Sequence, residues 1–455
     1  MQKTLTTMLV CALLPLAARA ARVDDDTVAA TAATTTAATA DERWNVHVQS
    51  TYIWQTKPAF SAAYSGVNSL SAAKEKSYSF SATAMLGLRL LPGTELYLDP
   101  EVVQGVALSG LAGLGGMSNG EQQKTGGPNP TLYRARLFLR QTFNVGGDAV
   151  VLASDANQLA ATVAARRLVL TVGNLAATDI FDASAYAHDA RSQFLNWSLV
   201  SHGAVDFAAD ARGYTWGLVG EMYLDDWVLR AGRFAQPFES NGQALDHAFA
   251  RHHGDELEIE HAHTLAGLPG KLRALAFRSS ARMGSFAEAL AAAAPGAAPD
   301  VGAVRKEASK HGVGISAEQS VSEDAGVFAR ASWNDGKYET YAFAEIERSI
   351  ALGATLAGTR WQRPRDTLGV ALVRNGLSSS HQAYLAAGGH GAFIGDGGLQ
   401  YRPETITEGY YSVGLGPRLG AATAISFDWQ HIANPAYNAA RGPVQVYAIR
   451  LHAQY

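Results

Sequence analysis

Glu256, Glu258 and Glu260 recur at every second position of the run DELEIEHAH, with Leu257 and Ile259 between them. In an extended chain successive side chains point to opposite faces, so the three carboxyls share one face and the aliphatic residues the other. Paired carboxyls hydrolyse glycosides when they flank the scissile bond from two sides. Residues two apart on one strand face stand side by side, so this row reads as a polar lining. His261 and His263 lie on the opposite face at a spacing seen in zinc sites. No third ligand accompanies them, and neither a metal nor another cofactor is expected. GDGG near Gly395 has no helix-opening pattern after it and reads as a turn.

A basic row matches the acidic one. In TLYRARLFLRQTF, strict alternation puts Arg134, Arg136, Phe138 and Arg140 on one face and Tyr133, Leu137, Leu139 and Phe143 on the other. Glu345 and Glu347 in TYAFAEIERSI, then Ser426, Asp428 and Gln430 in ATAISFDWQHI, repeat the habit. Two architectures alternate in this way. A soluble antiparallel sheet turns its polar face to solvent, whereas a transmembrane barrel turns its polar face to a water-filled lumen and its apolar face to lipid.

The elements that must carry these rows decide between the two. From Trp44 onward strand-like runs of about ten residues follow one another, a length that crosses a bilayer at a tilt. Minimal connections, LPG at Leu91 to Gly93 and LDD at Leu224 to Asp226, contrast with long ones at 104–130, 174–211, 279–310 and 375–403. Short turns on one rim and long loops on the other are the habit of transmembrane barrels. Trp44, Tyr52, Trp54, Trp216, Trp227, Trp429 and Tyr455 fall near run ends, where amphipathic rings suit a membrane boundary. The final run, QVYAIRLHAQY, ends on an aromatic residue, resembles the C-terminal signal by which outer-membrane proteins are recognised, and is expected to pair with the first strand. The runs number seventeen, including separate ones at Thr340–Ile350 and Gly353–Trp361. Closed bacterial barrels take an even number, so one assignment must fail. The fold expected is all-β: a transmembrane antiparallel β-barrel of about 16 strands with long extracellular loops and short periplasmic turns.

The first twenty residues carry Lys3, the apolar MLVCALLPLAA and the small-residue close ARA, and read as a cleaved secretory signal. Cys11, the only cysteine, lies inside it, and the bulky Val10 before it argues against a lipoprotein. Residues 21–41, rich in Ala and Thr, read as a periplasmic linker, and 42–455 as the barrel. The formal net charge is −4, which loss of Lys3 and Arg19 takes to about −6. That balance gives no footprint for nucleic acid. Beyond the signal no apolar run is long enough for a helical span.

Several long motifs resemble a known family. YAHDARSQFLNWSLVSHGAVDFAADARGYTWG (Tyr186 to Gly217), WNDGKYETYAFAEIERS (Trp333 to Ser349), FIGDGGLQYRPETITEGYYS (Phe393 to Ser412) and NPAYNAARGPVQVYAIRLHA are similar to the carbohydrate-selective porins of the OprB type. The resemblance runs from about Trp44 to the end. It implies a sixteen-stranded barrel in the outer membrane of a Gram-negative cell, admitting sugars by passive diffusion. No envelope-anchoring segment is inferred ahead of the barrel.

A sugar carries many hydroxyls and one apolar ring face, so a path for it wants Arg and carboxylate groups and an aromatic surface. The candidates are Arg134, Arg136, Arg140, Glu256, Glu258, Glu260, Glu345, Glu347 and Asp428 for the hydroxyls, and Trp197, Phe194 or Tyr410 for the ring. The 175–211 connection, with its apolar FLNWSLV, is the candidate loop to fold inward and narrow the lumen; packing on the outer rim or at a subunit contact is its alternative. The partners expected are sugars, outer-membrane lipid and the barrel-assembly machinery through the C-terminal strand; a homotrimer stays open. A polysaccharide-acting enzyme on a β scaffold, with Glu258 in its site, is the alternative function.

Overall fold

The structure, a computed structural model, describes residues 41–418 and 421–455. The expected signal with Cys11, and the expected linker apart from Asp41, lie outside the described residues. Sixteen strands follow in chain order: β1 (Trp44–Lys57), β2 (Glu75–Leu91), β3 (Thr94–Val106), β4 (Thr131–Leu152), β5 (Ala161–Leu175), β6 (Thr215–Leu224), β7 (Trp227–Ala235) and β8 (His253–Leu265) make the first half. The second half is β9 (Leu268–Met283), β10 (Lys306–Ser322), β11 (Ala325–Asn334), β12 (Arg348–Ala357), β13 (Thr367–Gly376), β14 (Glu404–Arg418), β15 (Ala421–Ala433) and β16 (Val444–Gln454). Each pairs antiparallel with its neighbours in sequence, and β1 closes the ring against β16 with Tyr52 opposite Leu451. Three short helices, α1 (Trp197–Val200), α2 (Phe286–Ala292) and α3 (Ser379–Ala386), lie in the connections.

The two faces of the wall settle which architecture the alternation belongs to. Leu257 is 59% exposed and Ile259 39%, while Glu256, Glu258 and Glu260 between and beside them are buried. The same inversion holds on β15 and β16, where Phe427, Trp429, Tyr447, Ile449 and Leu451 are uncovered and Asp428, Gln430 and Arg450 enclosed. A soluble sheet would do the opposite. A wall greasy outside and charged inside is stable only with lipid around it and polar contents within.

The count of seventeen runs is corrected by one segment. Thr340–Ile350 is not a strand: only Arg348–Ile350 belongs to β12, which continues through the start of the supposed next run and ends at Ala357. Tyr341, Ala342, Phe343, Ala344 and Ile346 are buried together with Glu345 and Glu347. Both kinds of side chain in that alternating stretch are enclosed, because it is a connection that lies within the fold instead of crossing the bilayer.

The rims differ as expected. Connections of two residues join β2 to β3, β6 to β7, β8 to β9 and β10 to β11. Gly93, at φ +73°, supplies the left-handed residue that such a tight turn needs. The opposite rim, the one expected to be extracellular, carries 58–74, 107–130, 176–214, 236–252, 284–305, 335–347, 377–403 and 434–443. On the rim of the two-residue turns, 153–160 and 358–366 are longer than the short turns expected. The first of these folds into the barrel, where the buried Leu159 donates its backbone N–H to the Tyr97 hydroxyl oxygen at 3.1 Å.

Candidate functional site

The 176–214 connection leaves the wall between β5 and β6 and is held by strands all around the ring. Asp182 accepts from Arg330 Nε on β11 at 2.9 Å and donates its own N–H to Glu258 on β8 at 2.8 Å. Glu408 on β14 takes the N–H groups of Leu195 (2.5 Å) and Asn196 (3.0 Å). Arg450 on β16 donates to the carbonyls of Ala190 and Gln193, and Lys310 on β10 reaches Asp206 at 3.2 Å. A loop bonded to β8, β10, β11, β14 and β16 crosses the lumen, so the inward alternative for this segment is the observed one. Buried backbone groups need partners, and the inward charged rows of the wall supply them. Of the Glu and Arg rows, Glu258 and Arg136, which binds Asp179 at 2.6 Å, are docking points for the loop.

Wall glycines make room for it. A Cβ at Gly326 would lie 2.1 Å from the Tyr186 ring, and one at Gly314 2.8 Å from that of His202. Without a side chain at those positions the loop seats flat against β10 and β11.

Two further connections complete the constriction, and neither was singled out from sequence. In 107–130, Gly115 and Gly116 donate to Glu404 at 2.9 and 2.8 Å, and the Ser118 carbonyl accepts from Gln55 and Gln430. The segment is joined to the first loop by Trp197 N–H to Met117 O (3.0 Å) and Gly120 N–H to Leu195 O (2.8 Å). From 335–347, Phe343 stacks on Trp197 with ring centroids 4.4 Å apart. A cavity of about 720 Å³ lies between these loops and the wall, lined mainly by β4 to β7 with Met85 of β2 and Glu95 of β3.

Each residue proposed from sequence now has a place. Arg136, Arg140 and Trp197 line the cavity. Arg134 does not. Opposite Asp99 and Pro100 the β4 register slips by one residue at Ala135, so the buried Ala135 and the partly buried Tyr133 face inward and Arg134 faces out, its guanidinium 5.2 Å above the Trp216 ring. A bulge resets the alternation that the sequence argument took as unbroken. Glu258 and Glu260 face inward as expected but are paired with Arg230, and Glu256 is buried beside them. Glu345 and Glu347 are not strand residues: Glu345 caps the N–H groups of Phe393 and Ile394, and Glu347 binds His381 at 2.8 Å. Asp428 is buried against Arg450 at 3.3 Å. Phe194, 1% exposed, is wedged between Phe328 and Tyr410, itself buried, and anchors the loop instead of meeting the cavity.

Beside Arg140 the cavity also draws in residues that the sequence reading passed over, Arg167 and Arg212 among them. Arg140 lies over Tyr97 and donates to Asn157 O at 2.8 Å; Arg167 lies 3.7 Å over Tyr223; Arg212 lies 4.7 Å over Tyr133. None of the three has a carboxylate partner among the described residues. The remaining charges are balanced. Arg191 joins Glu101 (2.9 Å) and Glu121 (3.1 Å), and Lys124 joins Glu121 at 2.9 Å. Burial alone would raise the Glu121 carboxyl, but Arg191 and Lys124 hold it well below its usual range. Asp179 is likewise lowered, with Arg136 at 2.6 Å outweighing burial. Arg167 could have been found by alternation along β5. Arg191 and Arg212 could not, since connections have no period.

One buried histidine makes loop docking sensitive to acid. Burial pushes the His202 imidazole down to about 4, Asp182 opposing and Arg330 and Arg273 reinforcing. It is neutral at pH 7, whereas an undocked histidine titrates near 6.5. Between about 4 and 6.5 the undocked state therefore binds more protons, and docking weakens as pH falls through that window. Current noise in a planar bilayer should grow from pH 7 to 4.5, and His202→Asn should flatten the profile; an unchanged profile would assign the response to other groups.

The comparisons with known proteins agree with this geometry. The family model described as "Carbohydrate-selective porin, OprB family" matches residues 68–455. No curated protein matches the sequence. Among solved structures, OprB of Pseudomonas putida in its high-pH form is 16% identical, with 91% of this chain and 94% of that chain covered and a TM-score of 0.65. OccAB1 of Acinetobacter baumannii (11% identical, 90% and 96% covered, TM-score 0.47) and OccK2 (OpdF) of Pseudomonas aeruginosa (9%, 90% and 97%, 0.45) are more distant. With a closed sixteen-stranded barrel, a lumen narrowed by its own loops and a family match over most of its length, the chain belongs to the OprB family of carbohydrate-selective porins of the Gram-negative outer membrane.

Proposed function

We propose that sugars cross through the cavity between β4–β7 and the inward loops, with Arg140, Arg167 and Arg212 as the groups that meet their hydroxyls. The observation that carries this reading is that each guanidinium lies over a ring with no carboxylate to answer it. Arg140 spends one N–H on Asn157 O and Arg167 one on Ala164 O, which leaves further N–H groups of the five on each guanidinium for a passing acceptor. Glu221 and Asp155, also on the cavity, accept from hydroxyls, and the exposed part of Trp197 offers an apolar face. The mixture of signs blunts preference for ions, and binding stays weak because a solute held tightly would block its own path.

Catalysis is not part of this function. Glu258, the carboxylate that an enzyme would use, is 0% exposed and occupied by Arg230 and the Asp182 N–H, which supports a channel over an enzyme. Export by the 1–20 signal, a linker over 21–41, delivery by an assembly machinery that reads the outward Tyr447, Ile449 and Leu451 of β16, and a homotrimer complete the proposal. In a planar bilayer the purified protein should give discrete conductance steps that glucose or a disaccharide lowers. Liposome swelling should fall as sugar size rises. Steps that no sugar affects would remove the reading.

A further inference from the structure

A second cavity, of about 630 Å³, lies on the lipid side of the wall across β3 to β7. Its sides are the outward Leu139, Val172 and Leu218, and its walls are almost wholly apolar. The feature that makes it a groove is the 236–252 connection, which overhangs the outer wall and brings Phe249 against these strands. Trp216 is the second residue of β6 and Arg233 the third from the end of β7, so this end of the groove lies near the extracellular ends of the strands, and its apolar floor descends past Leu139 to Leu96, close to the short turn between β2 and β3.

Charge stands where lipid would otherwise meet a bare wall. Arg233 lines the groove and is paired with Asp255 at 2.7 and 2.9 Å. Arg134, turned outward by the bulge at Ala135, lies over Trp216, which lines the groove, and so stands at its edge; it has no carboxylate partner among the described residues. Arg278, in register with Asp255 from the other side, is a third outward cation. Cations on the lipid face are tolerated near the interface, and there they attract anionic head groups. The volume falls in the range of small-ligand sites.

We propose that this groove binds a phosphorylated, multiply acylated glycolipid of the outer leaflet, with one acyl chain under the 236–252 overhang and a phosphate between Arg134 and Arg233. The site is separate from the sugar path. It takes the lipid as a bound partner and not as bulk solvent.

Native mass spectrometry of the intact detergent-purified protein tests it, with bis-phosphorylated lipid A as the probe and dephosphorylated lipid A and phosphatidylethanolamine as comparisons. One lipid A should be retained per chain, at least tenfold more than either comparison. Retention should fall by a similar factor in the Arg134→Gln, Arg233→Gln double variant, and in Val172→Trp, which fills the groove and leaves the cations in place. Equal retention of the dephosphorylated form, or no change in both variants, overturns the proposal. So does a dimer or trimer cross-linked through Val172→Cys, which would make a second copy the occupant. Conductance in phosphatidylcholine bilayers free of the glycolipid reads the channel separately, so failure of this site leaves the sugar reading intact.

Discussion

Arg330→Ala should raise the single-channel conductance several-fold while leaving the barrel closed. Arg330 donates to Asp182, to the Asp182 carbonyl and to Leu199 O, so its loss strips three bonds from the 176–214 loop. It also leaves the Asp182 carboxylate buried with its main counter-charge gone. Removing one member of a buried pair costs about 3–5 kcal/mol, comparable to what a docked loop can be expected to spare. The ladder of β11 with β10 and β12 is made by backbone groups that the substitution does not touch, and β-sheet circular dichroism should be unchanged. Asp182→Asn, which keeps the shape and removes the charge, should give a smaller rise. A conductance equal to wild type in Arg330→Ala would mean that the loop is not what limits the current.

Sugar recognition should respond to a different set of residues. In Arg140→Ala the concentration of sugar that halves the current should rise roughly tenfold to a hundredfold, since hydrogen bonds from a charged donor contribute about 1.5–3 kcal/mol and 1.4 kcal/mol is a factor of ten. Arg140 also holds the 153–160 connection through Asn157 O. Arg212→Ala is therefore the cleaner companion, because its guanidinium rests only on the Tyr133 ring. Arg140→Lys keeps the charge but not the planar fork and should recover a part of the effect. If all three variants bind sugar as wild type does, the path runs elsewhere.

Much of this barrel was legible because each strand states its two faces locally. Leu257 and Ile259 against Glu256, Glu258 and Glu260 needed no partner strand to be read. The failures came where a local period was interrupted or imitated. At Ala135 one inserted residue reversed the first four residues of β4 and moved Arg134 from lumen to lipid. At Tyr341–Glu347 a connection mimicked a strand because its carboxyls and its rings both find burial among other loops. FLNWSLV betrayed an inward loop by composition, yet its anchors on Arg330, Glu408 and Arg450 depend on pairings 131 to 260 residues apart in sequence, which no window along the chain contains. Phe194 was misplaced for the same reason: an aromatic residue on a loop can meet solute or wall, and only the distant Phe328 and Tyr410 decide.

The pairing of the 176–214 loop with β14 and β16 has a bearing on biogenesis. Glu408 and Arg450 are contributed by the last quarter of the chain, so the loop must wait, unsatisfied, until those strands arrive. Long-range contacts of this kind are slow to form. The strands that zip the cylinder shut against β1 are the same ones that trap the plug, which makes completion of the wall and seating of its contents a single event. An incomplete cylinder would be recognisable by a loose, protease-accessible interior, giving a cell a ready mark for discarding it.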